Sequence, residues 1–263
     1  MIYTDQYLTK CQDIIHVISN QKEQIIQAAR WFADSILSGR VVHTFGSGHS
    51  RIMVEEMWPR YGSFPGFNPI VELSLTFHNL VTGANGQRQA MFIENTQGLA
   101  AQILRNFNLS KTDTALIISS SGCNIVPIEM AEILQSAGIK VVSIVSKNHS
   151  GISKSARQDG KKLTDFSDLI LDSGAPAGDA MIQIEGMEMP VSPGSTVGSV
   201  ILINCIKAEL AAIMTSKGFP PKALAATCIV GKERSTQLFN DAYDEHATRM
   251  SRVTDFKKPI SLS

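Results

Sequence analysis

An excess of positive charge is missing from this sequence. Its 263 residues hold 24 Lys+Arg and 24 Asp+Glu, for a formal net charge of +0 and a pI near 7.0. Surfaces built for nucleic acid or an anionic membrane carry a basic bias, so neither partner is expected. Cysteine is scarce: Cys11, Cys123, Cys205 and Cys228 lie far apart, with no CxxC spacing. That excludes a dense disulfide framework and a thiolate zinc site, and free thiols in a reducing cytosol follow. Histidine occurs only at 16, 43, 49, 78, 149 and 246, never as HxxxH or HExxH, so no metal and no cofactor is expected. The start of the chain, Met1 to Gln12, is polar and carries Asp5 and Lys10. It does not read as a secretory signal, and a cytoplasmic location is expected. The longest apolar run, Val197 to Met214, is broken by Asn204, Lys207 and Glu209, which makes it a core helix and not a membrane span. Internal repeats and low-complexity tracts are absent.

What is present points to an α/β core. Hydrophobic residues make up 43% of the chain, ample for a large core. Helical periodicity runs through 4–19 and 22–38, with Gly39 placed to end the second helix. Buried-strand runs appear at 41–45, 115–118, 140–145 and 168–171, and short strands are expected within 181–191. Helices are expected at 50–58, 89–107, 125–137 and 197–216. Residues 61–88 are irregular and rich in Gly and Pro, a candidate lid or partner-contact region. The expected organisation is one unit over 1–231, which includes the helical pair 4–38. A charged, loosely patterned tail follows at 232–263, partly helical or mobile.

The most informative stretch is 114–126, Thr-Ala-Leu-Ile-Ile-Ser-Ser-Ser-Gly-Cys-Asn-Ile-Val. A strand passes through Ser119, Ser120, Ser121 and Gly122 to Asn124, where a helix begins. Helix starts present outward N–H groups with partial positive charge, and serine hydroxyls add donors. Without a lysine this is no Walker loop. It suits a phosphate monoester; the plainer alternative is a serine-rich turn with an N-cap. Residues 41–51 repeat the grammar: a strand, then Gly46-Ser47-Gly48-His49, then a helix from Ser50. Two such loops can face one ligand at the carboxyl edge of a parallel sheet. His49 sits in the glycine loop and should face that ligand, whereas His16 and His43 read as structural. His78 and His149 lie in loop-like segments. Cys123 reads as a small buried residue. Gly178-Asp179 and Ser195-Thr196 stand at element ends where they can line a sugar pocket, although a turn explains Gly178 equally well.

The pattern resembles the SIS (sugar isomerase) domain. Residues 118–124 are similar to its phosphosugar loop, Ser-x-Ser-Gly-x-Thr, with Asn124 in place of Thr. Val54-Glu55-Glu56-Met57-Trp58-Pro59-Arg60-Tyr61 resembles the Ala-Glu-Glu-Leu-x-x-Arg-Tyr helix of phosphoheptose isomerase. Over roughly 5–230 the chain is most similar to bacterial SIS phosphosugar-binding proteins related to that enzyme. The resemblance implies a three-layer αβα sandwich with a mainly parallel, doubly wound sheet and N-terminal helices packed on it. It implies sugar-phosphate binding by Ser47, Gly48, Ser50, Ser119, Ser120, Ser121, Gly122, Asn124, Ser195 and Thr196. It implies an aldose–ketose isomerase working through an enediol, with Glu56 as the base. A phosphosugar sensor and an amino-sugar-phosphate lyase or etherase are the alternatives. The chain departs from the family in two ways. The glycine loop stands four residues closer to the glutamates, about 6 Å along a helix. The late helix lacks the family's histidine, which leaves His49 and His78 as candidate acids. Related domains pack their N-terminal helices across subunits, so a homodimer or homotetramer is expected, with Ile14, Ile18 and Ile25 at the contact.

Overall fold

The computed structural model describes residues 2–76 and 86–255. Helices α1 (Tyr3–Ser19) and α2 (Lys22–Leu37) come first, followed by β1 (Val42–Gly46) and α3 (Arg51–Met57). Next are β2 (Phe67–Ile70), α4 (Arg88–Ile93), α5 (Leu99–Leu104) and β3 (Thr114–Ile118). Then come α6 (Ile125–Ser136), β4 (Lys140–Val145), α7 (Lys147–Ile152) and β5 (Leu169–Asp172). The chain ends with β6 (Ala180–Ile182), β7 (Val191–Pro193), α8 (Ser195–Ser216), α9 (Thr227–Val230) and α10 (Lys232–Val253).

The main sheet has five parallel strands in the order β2-β1-β3-β4-β5. Strands buried on both faces read as continuous apolar runs, and β1 and β3 are buried along their whole length. Side chains alternate between faces. Leu116 and Ile118 join a core with α1, α2, α3 and α8. Ala115 and Ile117 join the opposite core, with α5 and α6. This is the αβα sandwich that the sequence implied. The apolar helix α8 packs on α2, α3 and α1, so its hydropathy is that of a core element.

Several elements differ from the sequence reading. The irregular region contains β2, whose residues Asn68 and Pro69 pair with His43 and Thr44 of β1. Proline is tolerated there because β2 is an edge strand. The single helix expected at 89–107 is two, α4 and α5, separated where Gly98 takes φ +84. The tail forms α10, and Trp58 packs on its Tyr243 and His246 at ring distances of 5.4 and 5.5 Å. Ile14, Ile18 and Ile25 are 1%, 3% and 5% exposed within the chain itself. They face its own core and not another subunit, because the apolar stripes of α1 and α2 turn toward the sheet and α8. The outward face of α1 carries Leu8 and Ile15, both exposed.

Candidate functional site at the carboxyl edge of the sheet

In a sheet of this order the winding reverses between β1 and β3, and the loops leaving these strands diverge around a crevice. Those loops are the glycine loop after β1 and the serine loop after β3. Gly46 is required at the first: a Cβ there would meet the Ser50 carbonyl oxygen at 2.5 Å. Gly48 takes φ +55 and a turn of 3-10 helix, Gly48–Ser50, leads into α3. In the second loop Gly122 has φ +64.

A cavity of about 280 Å³ lies here. Its walls include His49 and Ser50 from the glycine loop, Ser120 from the serine loop, and Ser195 and Thr196 from the start of α8. Gln87, Asp179 and Ser199 complete its polar lining. Five of the predicted residues, from three separate stretches of chain, thus line one space, whereas Ser47, Gly48, Ser119, Ser121, Gly122 and Asn124 are not in its lining. The Ser120 hydroxyl is buried and finds no hydrogen-bond partner among the described residues.

The other serines of the loop brace it. Ser119 Oγ accepts from the Gly122 N–H at 3.2 Å, and Ser121 Oγ accepts from the Cys123 N–H at 3.2 Å. Each spends a lone pair on the loop and keeps its own proton to donate. Cys123 is buried, and that burial pushes its thiol above the ordinary range despite the Lys162 charge nearby.

The helix starts are not open anion sites. The first N–H groups of α6, those of Ile125 and Val126, go to Asn95 Oδ1 and the Glu94 carbonyl at 3.4 and 2.9 Å. At α8, Asp179 Oδ1 accepts from the N–H groups of Gly194 and Ser195 at 3.0 and 2.7 Å. Its Oδ2 accepts from Ser195 Oγ at 2.8 Å. Asp179 does this from φ +70, a conformation that Asp tolerates better than most residues. Orphan N–H groups at a helix start need acceptors, and here protein groups supply them. The Ile125 and Val126 N–H groups at α6 and the Gly194 and Ser195 N–H groups at α8 are thus already engaged.

Sequence reasoning missed Glu94, the residue after α4. Its Oε2 accepts from Ser47 Oγ at 2.6 Å and its Oε1 from Asn124 Nδ2 at 2.7 Å. One carboxylate thus joins the two loops. Burial pushes its pKa above the ordinary glutamate range, against the pull of those hydrogen bonds. No local motif marks it, because its partners are 47 and 30 residues away.

Glu56 is placed differently from the expectation. It lines a separate groove with Ile52, Tyr61, Phe239 and Tyr243. Its carboxylate accepts from Arg60, and from Asn204 Nδ2 at 2.9 Å, and lies 3.7 Å from Lys207 Nζ. Burial works to raise its pKa. The hydrogen bonds from Asn204 and Arg60 and the charges of Lys207 and Arg60 outweigh it, and the group is held below its ordinary value. That makes it a weaker base. Asn204 and Lys207 belong to α8, the helix without histidine. Glu55 points elsewhere, 3.8 Å from Arg51. His78 lies outside the described residues.

Residues 6–146 match the SIS domain family. A UPF0309 protein of Halalkalibacterium halodurans is 30% identical over 244 residues, 90% of this chain and 96% of that protein. A UPF0309 protein of Listeria innocua is 29% identical over 230 residues, 88% of this chain and 91% of the relative. Among solved structures, a phosphoheptose isomerase from Francisella tularensis aligns with a TM-score of 0.51 and 14% identity, over 80% of this chain and 98% of that one. At that identity the likeness speaks for the fold. The family match and the near full-length relatives agree with the sheet order and the paired loops: this chain belongs to the SIS domain family, among its UPF0309 proteins.

Proposed function

We propose that the protein binds a sugar phosphate at this edge of the sheet and isomerises it between aldose and ketose. The observation that carries the reading is the gathering of hydroxyls from both loops and the start of α8 around one small polar cavity. A phosphosugar offers the complementary set: a phosphate that accepts hydrogen bonds and hydroxyls that both donate and accept. Moving a proton between C1 and C2 needs a group that can take and return it. His49 lines the cavity, and an imidazole can take and return a proton, so it is assigned the proton transfer. Glu56 enters this chemistry only if it leaves Arg60 and Asn204.

That engagement of Glu56 favours a second reading, a phosphosugar sensor with the same cavity and no turnover. The two readings separate in one experiment. Sugar phosphates are screened for thermal stabilisation, since a true ligand at a hundredfold excess over Kd adds about 2.7 kcal/mol. Each hit is then incubated in deuterated water. Exchange at C2 that disappears in His49→Gln supports the isomerase. Tight binding with no exchange in the parent protein supports the sensor, and no stabilisation by any phosphosugar rejects both.

A further inference from the structure

Glu94 holds two side chains that the family resemblance assigns to a phosphate. One donor from each loop, Ser47 Oγ and Asn124 Nδ2, converges on the two oxygens of its carboxylate at 2.6 and 2.7 Å. A phosphate monoester presents a comparable feature, a pair of negatively charged oxygens that accept charge-assisted hydrogen bonds. The sequence also ties Glu94 to the serine loop. Its carbonyl oxygen accepts the Val126 N–H, and the next residue, Asn95, accepts the Ile125 N–H. The backbone of Glu94 is thus anchored to the start of α6 while its side chain reaches across to the glycine loop.

Resting on the phosphosugar reading above, we infer that Glu94 is an internal anion that holds the two loops together until the phosphate of the ligand displaces it. Ser47 and Asn124 cannot serve both anions fully, and an ionised carboxylate a few ångströms from a phosphate dianion repels it. Binding therefore includes a swap. The carboxylate gives up Ser47 and Asn124, the phosphate takes them, and Glu94 turns outward to solvent on a backbone that stays pinned to α6. Burial already disfavours its ionised form, which lowers the cost of leaving. The swap gives the site a built-in threshold: a weakly held anion does not open it, and a phosphate with a sugar attached does.

The test is Glu94→Gln, in which the amide oxygen still accepts from Asn124 and the amide N–H₂ donates to Ser47 Oγ. The bridge survives without the charge. Inorganic phosphate is titrated into the parent and the variant by calorimetry, with thermal unfolding of both as a control for folding. The expected result is phosphate binding at least about tenfold tighter in the variant, the effect of removing one like charge at short range. If Glu94 only braces the loops, Glu94→Gln binds phosphate equally or more weakly. If Glu94 is a proton-transfer group, affinity stays unchanged and turnover falls. Either outcome overturns the inference. Sugar phosphates that stabilise the parent, together with no gain for inorganic phosphate in Glu94→Gln, reject the swap alone. If neither protein binds any phosphorylated compound, the swap and the phosphosugar reading fall together.

Discussion

The two ends of strands β1 and β3 carry polar clusters of opposite character. At the amino end, Asp113 stands just before β3. It accepts from Arg40 Nε and Nη2, both at 2.8 Å, and from the Ser110 N–H at 2.8 Å. His43 Nε2 lies 3.2 Å from the same carboxylate, and His43 Nδ1 lies 2.9 Å from Asn68 Nδ2. Because the Asn68 amide is a donor, Nδ1 is the acceptor and the proton sits on Nε2, facing Asp113. The side chains of Asp113 and His43 are both 0% exposed. Arg40 extends the cluster to the carbonyls of Asn108 and Arg252, which ties the end of α10 to the sheet. At the carboxyl end, by contrast, Ser120 has no partner among the described residues, Asp179 holds a positive φ, and a carboxylate sits on donors suited to a ligand. A cluster that closes on itself stabilises the fold. A cluster that does not close leaves binding capacity, and its cost is borne elsewhere in the molecule.

Breaking the amino-end cluster gives the largest expected effect. Asp113→Ala leaves Arg40 and buried His43 without their shared acceptor. Removing one partner of a buried charged pair costs roughly 3–5 kcal/mol. The urea midpoint should fall accordingly, while the affinity of the folded variant for its sugar phosphate should hardly move. An unfolding free energy within about 1 kcal/mol of the parent would mean that the cluster is not the brace its geometry suggests.

Acid sharpens the same contrast by a smaller amount. Burial alone would raise the Asp113 pKa, but hydrogen bonds from His43 and Arg40 and the Arg40 charge hold it below the ordinary value. A carboxyl with a lower pKa folded than unfolded stabilises the fold above its unfolded pKa, about 3.9. That contribution is lost as pH falls through the folded value, because the unfolded chain then binds the proton first. Stability measured from pH 5 downward should therefore drop, with a shallower slope in Asp113→Asn. Glu94 has the opposite sign. Burial raises its folded pKa, so its contribution grows as the pH falls toward the unfolded glutamate value. Equal slopes in the parent and Asp113→Asn would remove Asp113 from the acid response.

The contrast also explains what could be read from the sequence. β3 and β4 announce themselves through the buried apolar runs Ala115 to Ile118 and Val141-Val142, and β1 through Val41-Val42 and Phe45, although His43 and Thr44 are polar. β2 does not, since half of Phe67-Asn68-Pro69-Ile70 is a residue type that disfavours strands. The serine and glycine loops were legible because strand, small residues and helix follow one another along the chain. Ser195 and Thr196 were candidates from their place at an element end, and they line one cavity with His49, Ser50 and Ser120 of the two loops. Glu94 was illegible because its meaning comes from distant partners and from burial, neither of which leaves a local pattern. Glu56 shows the reverse problem. Its motif was visible, but the groups that weaken it as a base, Asn204 and Lys207, sit on a helix some 150 residues later, at separations of 148 and 151 residues.

The smallest expected stability change is at Ser120, and its sign is the informative part. A buried hydroxyl with a partner is removed at a loss, because that partner is left behind. Ser120 Oγ is buried with no partner among the described residues, so its replacement by Ala removes an uncompensated polar group. Thermal unfolding of Ser120→Ala without ligand should show a stability unchanged or higher by up to about 1 kcal/mol. The same change removes a donor from the cavity wall. A hydrogen bond to a charged group is worth roughly 1.5–3 kcal/mol, so affinity for the sugar phosphate should fall about tenfold or more. Asp113→Ala and Ser120→Ala then form a crossed pair: one loses stability and keeps binding, the other keeps stability and loses binding. If Ser120→Ala loses stability instead, the hydroxyl belongs to the fold, and the carboxyl end is as closed as the amino end.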